Sequence, residues 1–355
     1  PHLARRGRPY RSASPPLDPF SEELVRGLES AGATPFRLPL AIDFDRCQRC
    51  PRCPGYVCPT GARTSTESHL LAPRERRGRL DRWHGMEVEQ IVSSRTGPIG
   101  IRLRDRRLGR AHLVTAEHCL LAAGAIGTPL LLEHSALGAE SGELGRNHMC
   151  HLGALAVALF AQPIGADTTF LKRIGLSDDY LGTPGYGEKL GSAQVIPIPG
   201  VESLKQQIGF PIPDRVARGI HRRSILMAGY VEDLPSPANR IRSDGRGGVR
   251  VERRFSSYDI ARGRVLARRL ARSMRRAGAA IAFAHVASND REHLAHQVGT
   301  CRAARDPRHS VVDPQCRLHG HENLWIVDGS VLPTSLGVGP ALTIAANALR
   351  VADFV

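Results

Sequence analysis

NLWIVDGSVLPTSLGVGPALTIAANALRVADFV, residues 323–355, contains the pattern that decides the fold of this chain. The apolar residues from Leu324 to Val327 predict a short strand, the Asp-Gly-Ser triplet after them predicts a tight turn, and the apolar run after Pro340 predicts a helix. A strand and turn that lead into a helix with proline in its first turn direct backbone N–H groups toward an electron-rich ligand. The stretch therefore predicts either a cofactor pocket or a core strand and helix without a ligand.

The chain has 355 residues, of which 41% are hydrophobic, and this is enough for two domains or one large α/β unit. It contains neither a long apolar run of the length that spans a bilayer nor a signal peptide with an apolar core. We therefore expect a globular, cytoplasmic protein without a membrane span. Residue 1 is Pro rather than Met, so a targeting segment upstream stays open.

The formal net charge of +15 is typical of proteins that bind acidic partners such as nucleic acids. The basic residues, however, are almost all Arg and are spread through predicted strands, helices and turns. Aromatic residues make up 5% of the chain, so no platform for stacking bases is apparent. The sequence thus favours a basic surface over a nucleic-acid partner.

Four of the eight cysteines form a cluster with the spacing Cys47-x2-Cys50-x2-Cys53-x4-Cys58. Thiolates at two-residue spacing converge on one ion, so the cluster predicts a zinc site or an iron–sulphur cluster. Disulfides and unligated thiols are the alternatives. If the cluster binds metal and no flavin binds, the chain would be a cysteine-centred metal-binding module.

A second strand-to-helix transition follows the wholly apolar stretch Cys119 to Ala122. Such a stretch predicts a strand that is buried on both faces, as in a parallel sheet. The small residues Ala123 and Gly124 then allow close approach of the backbone, either to a ligand or to a neighbouring strand.

The remaining patterns predict two helices and an antiparallel sheet. One helix starts at Asp18 and Pro19 and ends at Gly32, and another starts near Ser257. Short strands separated by Pro- and Gly-rich connections are typical of an antiparallel sheet, and they cover residues 155–160, 194–198, 225–231 and 249–251. Two further strands are predicted at residues 86–92 and 99–103.

Five motifs occur in the order found in glucose–methanol–choline (GMC) flavoprotein oxidoreductases. They are AAGAIGTPLLLEHSALG (122–138), ELGRNHMCH (143–151), DLPSPANRIRSD (233–244), HQVGT (296–300) and NLWIVDGSVLPTSLGVGPALTI (323–344). The chain resembles this family from about residue 38 onward, and especially its bacterial sugar and alcohol dehydrogenase branch.

The resemblance implies a mixed α/β (α+β) fold in two domains. A Rossmann-like FAD-binding domain would combine residues 1–150, with an N-terminal arm and the cysteine-rich loop, and residues 291–355. Residues 151–290 would form a substrate domain on an antiparallel sheet. Family members open with a Gly-x-Gly-x-x-Gly turn that binds the FAD pyrophosphate, and this sequence contains none. We therefore expect an incomplete FAD domain: a truncated chain, a chain completed by a separate subunit, or one that no longer binds flavin.

The resemblance also implies an FAD-dependent oxidoreductase that takes a hydride from a small-molecule alcohol or sugar. His296, in the HQVGT motif, corresponds to the catalytic histidine, which removes the hydroxyl proton as general base. His293 is the competing candidate and lacks the motif match. We expect a dehydrogenase whose electron acceptor is not identified, and the alternative is a non-catalytic scaffold or partner subunit.

The other family positions predict contacts with FAD. Asp328 would hydrogen-bond the ribityl or diphosphate region, Gly329 would let the backbone come close, and the backbone of Val88 would contact adenine. Amides at the start of the last helix would favour the reduced flavin. The full set of expected cofactor-binding residues is Val88, Ala123, Gly124, Asn147, Asp328, Gly329, Pro340 and Thr343.

Gly339 occupies the family's second catalytic position, where relatives have Asn or His. Glycine has no side chain to donate or accept a hydrogen bond. The sequence therefore predicts a site with one catalytic side chain in place of two, and a slower reaction.

Overall fold

The computed structural model describes residues 14–50, 57–93, 95–164, 172–183, 189–196, 198, 200–208, 211–288 and 295–355. Its strands are β1 Phe36–Arg37, β2 Met86–Val92, β3 Ile99–Asp105, β4 Ala111–Ala116, β5 Cys119–Leu121, β6 Leu152–Leu159, β7 Ile174–Leu176, β8 Ser192–Ile196, β9 Ser224–Val231, β10 Arg240–Ser243, β11 Val249–Glu252, β12 Ile281–Ala287 and β13 Leu324–Ile326. Its α-helices are α1 Pro19–Ser30, α2 Ala72–Glu75, α3 Gly124–His134, α4 Val201–Ile208, α5 Asp214–His221, α6 Ser257–Arg276 and α7 Ala341–Val351.

The first helix begins where the sequence predicts. The Asp18 side chain accepts a hydrogen bond from the Ser21 backbone N–H at 2.8 Å and so caps α1. The same carboxylate pairs with the buried guanidinium of Arg173. The cap therefore also ties the N-terminal segment to a part of the chain that lies far along the sequence.

A six-stranded antiparallel sheet forms one half of the molecule, with the order β1-β7-β8-β9-β6-β12. This confirms the antiparallel sheet for three of the four predicted stretches. The fourth, residues 249–251, lies in β11, which pairs with β10 in a separate two-stranded antiparallel sheet. The N-terminal segment contributes β1 to the edge of the six-stranded sheet, and α1 packs on the same core. The remaining five strands come from residues 152–287.

Helix α6 covers one face of this sheet. Its buried stripe includes Leu266, Leu270 and Met274, which lie four residues apart as the helical period requires. The helix lies so close to β9 that a Cβ on Gly229 would be 2.8 Å from Leu266 Cδ2. Tight packing of this helix on the sheet forms the larger hydrophobic core.

The other half is built around a second core. A three-stranded antiparallel sheet, β2-β3-β4, and helix α3 lie beside the parallel pair β5–β13. The two strands of the pair align Leu324 with Cys119 and Ile326 with Leu121. The molecule is therefore a mixed α/β fold, as expected.

The prediction that the strand at Cys119 is buried on both faces is wrong. Cys119 and Leu121 are buried, but Leu120 between them is 45% exposed. In the part of the chain that the structure describes, β5 pairs with β13 alone, and the second core covers only the face that holds Cys119 and Leu121. Side chains alternate between faces of a strand, so Leu120 is left open.

No helix within the described residues is both long enough and apolar enough to cross a membrane.

Candidate active site

Two of the quoted motifs lie side by side as a short antiparallel ribbon. Met149 N–H donates to Val298 O at 3.0 Å, and Val298 N–H donates back to Met149 O at 2.9 Å. The backbones approach so closely that a Cβ on Gly299, whose φ is +96°, would be 2.5 Å from Asn147 O. The fold thus brings ELGRNHMCH and HQVGT together, although they are about 150 residues apart in sequence.

His296 lies at the end of this ribbon and contacts a second histidine. The Nδ1 atoms of His296 and His151 are 2.8 Å apart, and the two rings meet edge to face. His296 adopts φ +65°, a left-handed conformation that is uncommon outside glycine. A strained backbone at this residue is the kind of feature that surrounding structure maintains at functional sites.

The loop at residues 335–337 contacts the second ring nitrogen of His151, Nε2. His151 Nε2 lies 2.9 Å from both Ser335 O and Leu336 O. The loop itself is tied to the six-stranded sheet, because Asp233 N–H donates to Ser335 Oγ at 2.8 Å and Ser192 N–H donates to Gly337 O at 3.0 Å. The histidine pair is therefore anchored to both halves of the molecule.

Tyr230 completes the aromatic cluster from strand β9. Its ring centroid is 5.5 Å from the ring centroids of both His151 and His296. Burial raises the pKa of Tyr230, while a hydrogen bond from Gln194 Nε2 to its phenol oxygen opposes that rise. The phenol stays protonated at neutral pH and presents a polar group beside the histidines.

Position 339 lies directly against His296. A Cβ built on Gly339 would be 3.5 Å from His296 Nε2 and 3.6 Å from Cε1, which is ordinary van der Waals contact. Position 339 and the Nε2 edge of His296 are therefore in contact, and the catalytic role of Gly339 stays a prediction.

The N-terminal end of α7 is open. Pro340 is its N-cap residue, and no side chain caps the first turn. Ala341, Leu342 and Thr343 are exposed, and Leu342 is exposed to 65%. Although the helix is strongly apolar, Val351 is its only buried residue. An apolar helix with its positive end uncovered is suited to an electron-rich, largely apolar ligand.

The Asp328 carboxylate is occupied by groups of this chain. Its Oδ2 accepts from Gly124 N–H at 2.8 Å and from Thr128 Oγ1 at 2.5 Å. Its Oδ1 accepts from the backbone N–H and the hydroxyl of Ser330. Asp328 therefore joins the turn after β13 to the turn after β5, and its predicted contact with FAD stays a prediction.

Gly329, in the turn after β13, and Gly124, in the turn after β5, have different surroundings. A Cβ on Gly329 would lie 3.0 Å from Ile344 Cδ1, so this glycine lets α7 pack close to the turn. Gly124 has φ +80° and open space where a Cβ would be, next to the exposed Ala123. The open space beside Gly124 leaves room for close approach to the backbone. The backbone N–H groups of Ala123 and Gly124 already donate to Thr128 Oγ1 and Asp328 Oδ2, and the contact of both residues with FAD stays a prediction.

Two other predicted cofactor residues lie elsewhere. Asn147 is buried at φ +59°, and its Nδ2 donates to Glu143 Oε2 at 2.7 Å. Val88 lies on the three-stranded sheet at a β-bulge and is 40% exposed. No contact in the described structure joins either side chain to the histidine pair, and their roles toward FAD stay predictions.

The cysteine cluster receives no support as a metal site. Cys47, Cys50 and Cys58 are free and half-buried, and Cys53 lies outside the described residues. Among residues with described positions, no three or more His, Cys, Asp or Glu side chains form a group that could hold an ion. Hydrogen bonds to Thr60 and to the Arg63 backbone lower the pKa of Cys58 to about 7.

His293, the competing candidate for the general base, also lies outside the described residues.

His148 supports the residue next to His296. It is fully buried, and its Nε2 donates to Gln297 Oε1 at 2.9 Å. Its Nδ1 has no hydrogen-bond partner within the described chain, so protonation would bury an unpaired N–H and a charge. Burial accordingly lowers the pKa of His148 to about 4.

We expect His148 to make the protein less stable in acid. The unfolded chain protonates this histidine near pH 6.5, whereas the folded chain does so near pH 4, so stability is lost as pH falls through that window. The loss between pH 7 and pH 4 is about 3 kcal/mol. Urea unfolding at several pH values should show it, and His148→Gln, which keeps a donor to Gln297, should remove it. Equal pH dependence in the two proteins would contradict the assignment.

The sequence predicted roles for His296 and Gly339 but not for the residues around them. His151 and Tyr230 contact His296, and Gln194 contacts Tyr230. His151 is the last residue of the ELGRNHMCH motif, so this motif could have indicated a second histidine at the site. Tyr230 and Gln194 lie in strands without a motif, and only the sheet brings them to the site.

Two family models and several curated proteins match this sequence. A family model described as GMC oxidoreductase (N-terminal part) matches residues 11–153, and one described as GMC oxidoreductase (C-terminal part) matches residues 239–348. The chain is 29% identical to 6'''-hydroxyparomomycin C oxidase of Streptomyces lividus and 27% identical to paromamine 6'-oxidase of Streptomyces fradiae. These alignments cover 99% and 98% of this chain but 66% and 67% of the relatives, so the chain spans about two thirds of their length.

Two solved structures share the fold. Pyridoxine 4-oxidase from Mesorbium loti superimposes with a TM-score of 0.70 at 17% identity, over 98% of this chain and 72% of that one. Formate oxidase from Aspergillus oryzae RIB40 gives a TM-score of 0.68 at 14% identity, over 96% and 71%. At these identities the likeness concerns the fold alone.

Proposed function

Because this chain belongs to the GMC oxidoreductase family, we propose that it oxidises an alcohol or sugar hydroxyl, with FAD as hydride acceptor and His296 as general base. The observation that carries the proposal is the contact between the Nε2 edge of His296 and position 339, at the entrance of the uncapped helix α7. A base, an open helix N-terminus and exposed apolar surface meet there.

Several residues fit the cofactor. The first turn of α7 offers N–H groups without a side-chain cap, and Gly124 offers backbone beside open space. Leu342, in the first turn of α7, exposes apolar surface next to these N–H groups. When bound, FAD supplies the hydride acceptor.

The chain's own residues supply the proton chemistry. His296 Nε2 would accept the hydroxyl proton while the hydride leaves the same substrate's carbon. Tyr230 and Gln194 lie on the sheet next to the base, and they would orient the substrate by hydrogen bonds. The backbone that fixes His296 would hold the base at a constant position.

The relatives suggest where to look for substrates. The two Streptomyces proteins are named as 6'''-hydroxyparomomycin C oxidase and paromamine 6'-oxidase. We propose a hydroxylated sugar or a simple alcohol as the substrate class, to be tested with a panel of neutral sugars, amino sugars and alcohols.

The test is a flavin-binding experiment followed by reduction. The protein should retain FAD through gel filtration and show an absorption band near ~450 nm. That band should bleach when a substrate from the panel is added without oxygen. Failure to retain any flavin after incubation with FAD would overturn the proposal for this chain.

A second candidate is a subunit whose FAD site is completed by another polypeptide. The observation that favours it is the amount of apolar surface left open, since Leu120 is 45% and Leu342 is 65% exposed. A polypeptide could cover this surface as a flavin would. Flavin retention by the chain alone supports the first candidate, and no retention supports the second.

We predict that Gly339→Asn raises kcat by several-fold in the FAD-loaded protein. The Asn Cβ fits 3.5 Å from His296 Nε2, and its amide would offer a hydrogen bond at the reacting hydroxyl. A hydrogen bond of this kind contributes about 1 kcal/mol. Steady-state kinetics check it, with Gly339→Ala as the control that fills the space without a polar group. An unchanged or lower rate for the Asn variant would count against the assignment of position 339.

A further inference from the structure

The proton positions in the histidine pair follow from what the neighbouring atoms can accept. Ser335 O and Leu336 O are carbonyl oxygens, which only accept hydrogen bonds. Both lie 2.9 Å from His151 Nε2, so this nitrogen carries a hydrogen. In the neutral ring, Nδ1 of His151 is then the acceptor.

His296 must therefore donate. Its Nδ1 is 2.8 Å from His151 Nδ1, and a hydrogen bond between two ring nitrogens needs a hydrogen on one of them only. In the neutral pair that hydrogen belongs to His296 Nδ1, and the lone pair of His296 lies on Nε2. Nε2 is the atom that faces position 339.

We propose that His151 is a positioning residue: it fixes the tautomer of His296, so that Nε2 is the atom that takes the substrate proton. This proposal rests on the proposed function of His296. In the proposed reaction the substrate O–H bond would break and an N–H bond would form on Nε2, while bound FAD would supply the acceptor for the hydride that leaves the substrate carbon. His296 then carries the positive charge, and its Nδ1–H donates a stronger, charge-assisted bond to His151.

The arrangement around His151 suits this role. The residue is 3% exposed, and its partners are backbone carbonyls of a loop tied to β8 and β9. Tyr230 stands 5.5 Å from both rings and limits their rotation. A partner on the second ring nitrogen also fixes the tautomer of metal-bound histidines, where its loss costs about 10- to 100-fold in metal affinity or activity, and we expect a similar effect here.

The competing arrangement has the opposite consequence. If His151 carried hydrogens on both nitrogens, it would donate to His296 Nδ1, and the neutral His296 would hold its hydrogen on Nε2. That nitrogen could not accept a substrate proton. The two arrangements therefore differ in which nitrogen of His296 bears hydrogen.

Nitrogen NMR of protein labelled with ¹⁵N-histidine distinguishes them without any substrate. We expect a protonated, pyrrole-type Nδ1 and a pyridine-type Nε2 for His296, assigned by loss of its signals in His296→Asn. A protonated Nε2 with an unprotonated Nδ1 would overturn the proposal, whatever the activity of the enzyme. Because this measurement uses the unsubstituted chain, it does not depend on whether a variant folds.

Two variants test the consequence for catalysis. His151→Leu removes the acceptor, so His296 should show a mixture of tautomers and kcat should fall by about 10- to 100-fold. His151→Asn keeps an acceptor near the Nδ1 position, and it should restore one tautomer and most of the rate. A single unchanged tautomer in a folded His151→Leu protein would overturn the positioning role. Full activity of His296→Asn would instead defeat the proposed function and leave the tautomer result intact.

Discussion

Replacing His296 with Asn should lower kcat of the FAD-loaded protein by about 10²- to 10⁴-fold, because a positioned general base contributes that much to proton transfer. Asn is the suitable replacement, since it tolerates the left-handed backbone at this position, where φ is +65°. Its amide cannot take a proton from the substrate. Steady-state kinetics with the best substrate of the panel give the measurement.

The control separates loss of the base from loss of structure. His309 is an exposed histidine in the turn Pro307–His309, so His309→Asn should leave kcat unchanged. His296→Asn should still retain FAD, because the residues that fit the cofactor lie in the turn after β5 and in α7. A folded, flavin-bound His296→Asn protein within tenfold of the normal rate would remove His296 from the mechanism.

Replacing Gly191 with Ala should cost roughly 3–5 kcal/mol of unfolding free energy, the largest stability effect we expect. Gly191 adopts φ +128°, and a Cβ there would lie 1.9 Å from Tyr230 O and 2.9 Å from Tyr230 C. Both atoms belong to the backbone, which cannot rotate away as a side chain can. A shift of β8 relative to β9 would also disturb Gly337, since a Cβ at that residue would lie 3.2 Å from Gly191 Cα.

Urea unfolding of Gly191→Ala and Gly200→Ala measures this cost. Gly200 has no atom within 4 Å of its Cβ position and does not adopt a left-handed φ, so its alanine variant should differ from the parent by less than about 1 kcal/mol. If the two variants were equally stable, the close approach of β8 to Tyr230 would be wrong. If Gly191→Ala alone lost activity as well, the loop at Gly337 would be the cause to examine first.

The sequence determined the elements whose signals are local. Asp18 predicts the start of α1, and the stripe of Leu266, Leu270 and Met274 predicts α6, because capping and helical periodicity act over three or four residues. The strand, turn and helix at the C-terminus are also as predicted, with β13 at Leu324–Ile326 and α7 after Pro340.

The candidate site was only partly visible in the sequence. Motif order indicates His296 and Gly339, and the fold brings their positions within van der Waals distance. The same motifs gave no role to His151, and they did not indicate that the Asp328 carboxylate accepts hydrogen bonds from Gly124, Thr128 and Ser330. The type of a residue shows which hydrogen bonds its side chain can make, but the sequence does not show which partners the fold brings to it.

Only the tertiary structure decided which distant groups meet. His151 and His296 are 145 residues apart and share a hydrogen bond, and Leu120 is exposed because the described chain leaves one face of the β5–β13 pair open. Propensity, capping and periodicity depend on neighbours along the chain, so one sequence is enough to read them. Burial and hydrogen-bond partners depend on how separate segments pack, and that packing set the tautomer, the exposed helix end and the shape of the site.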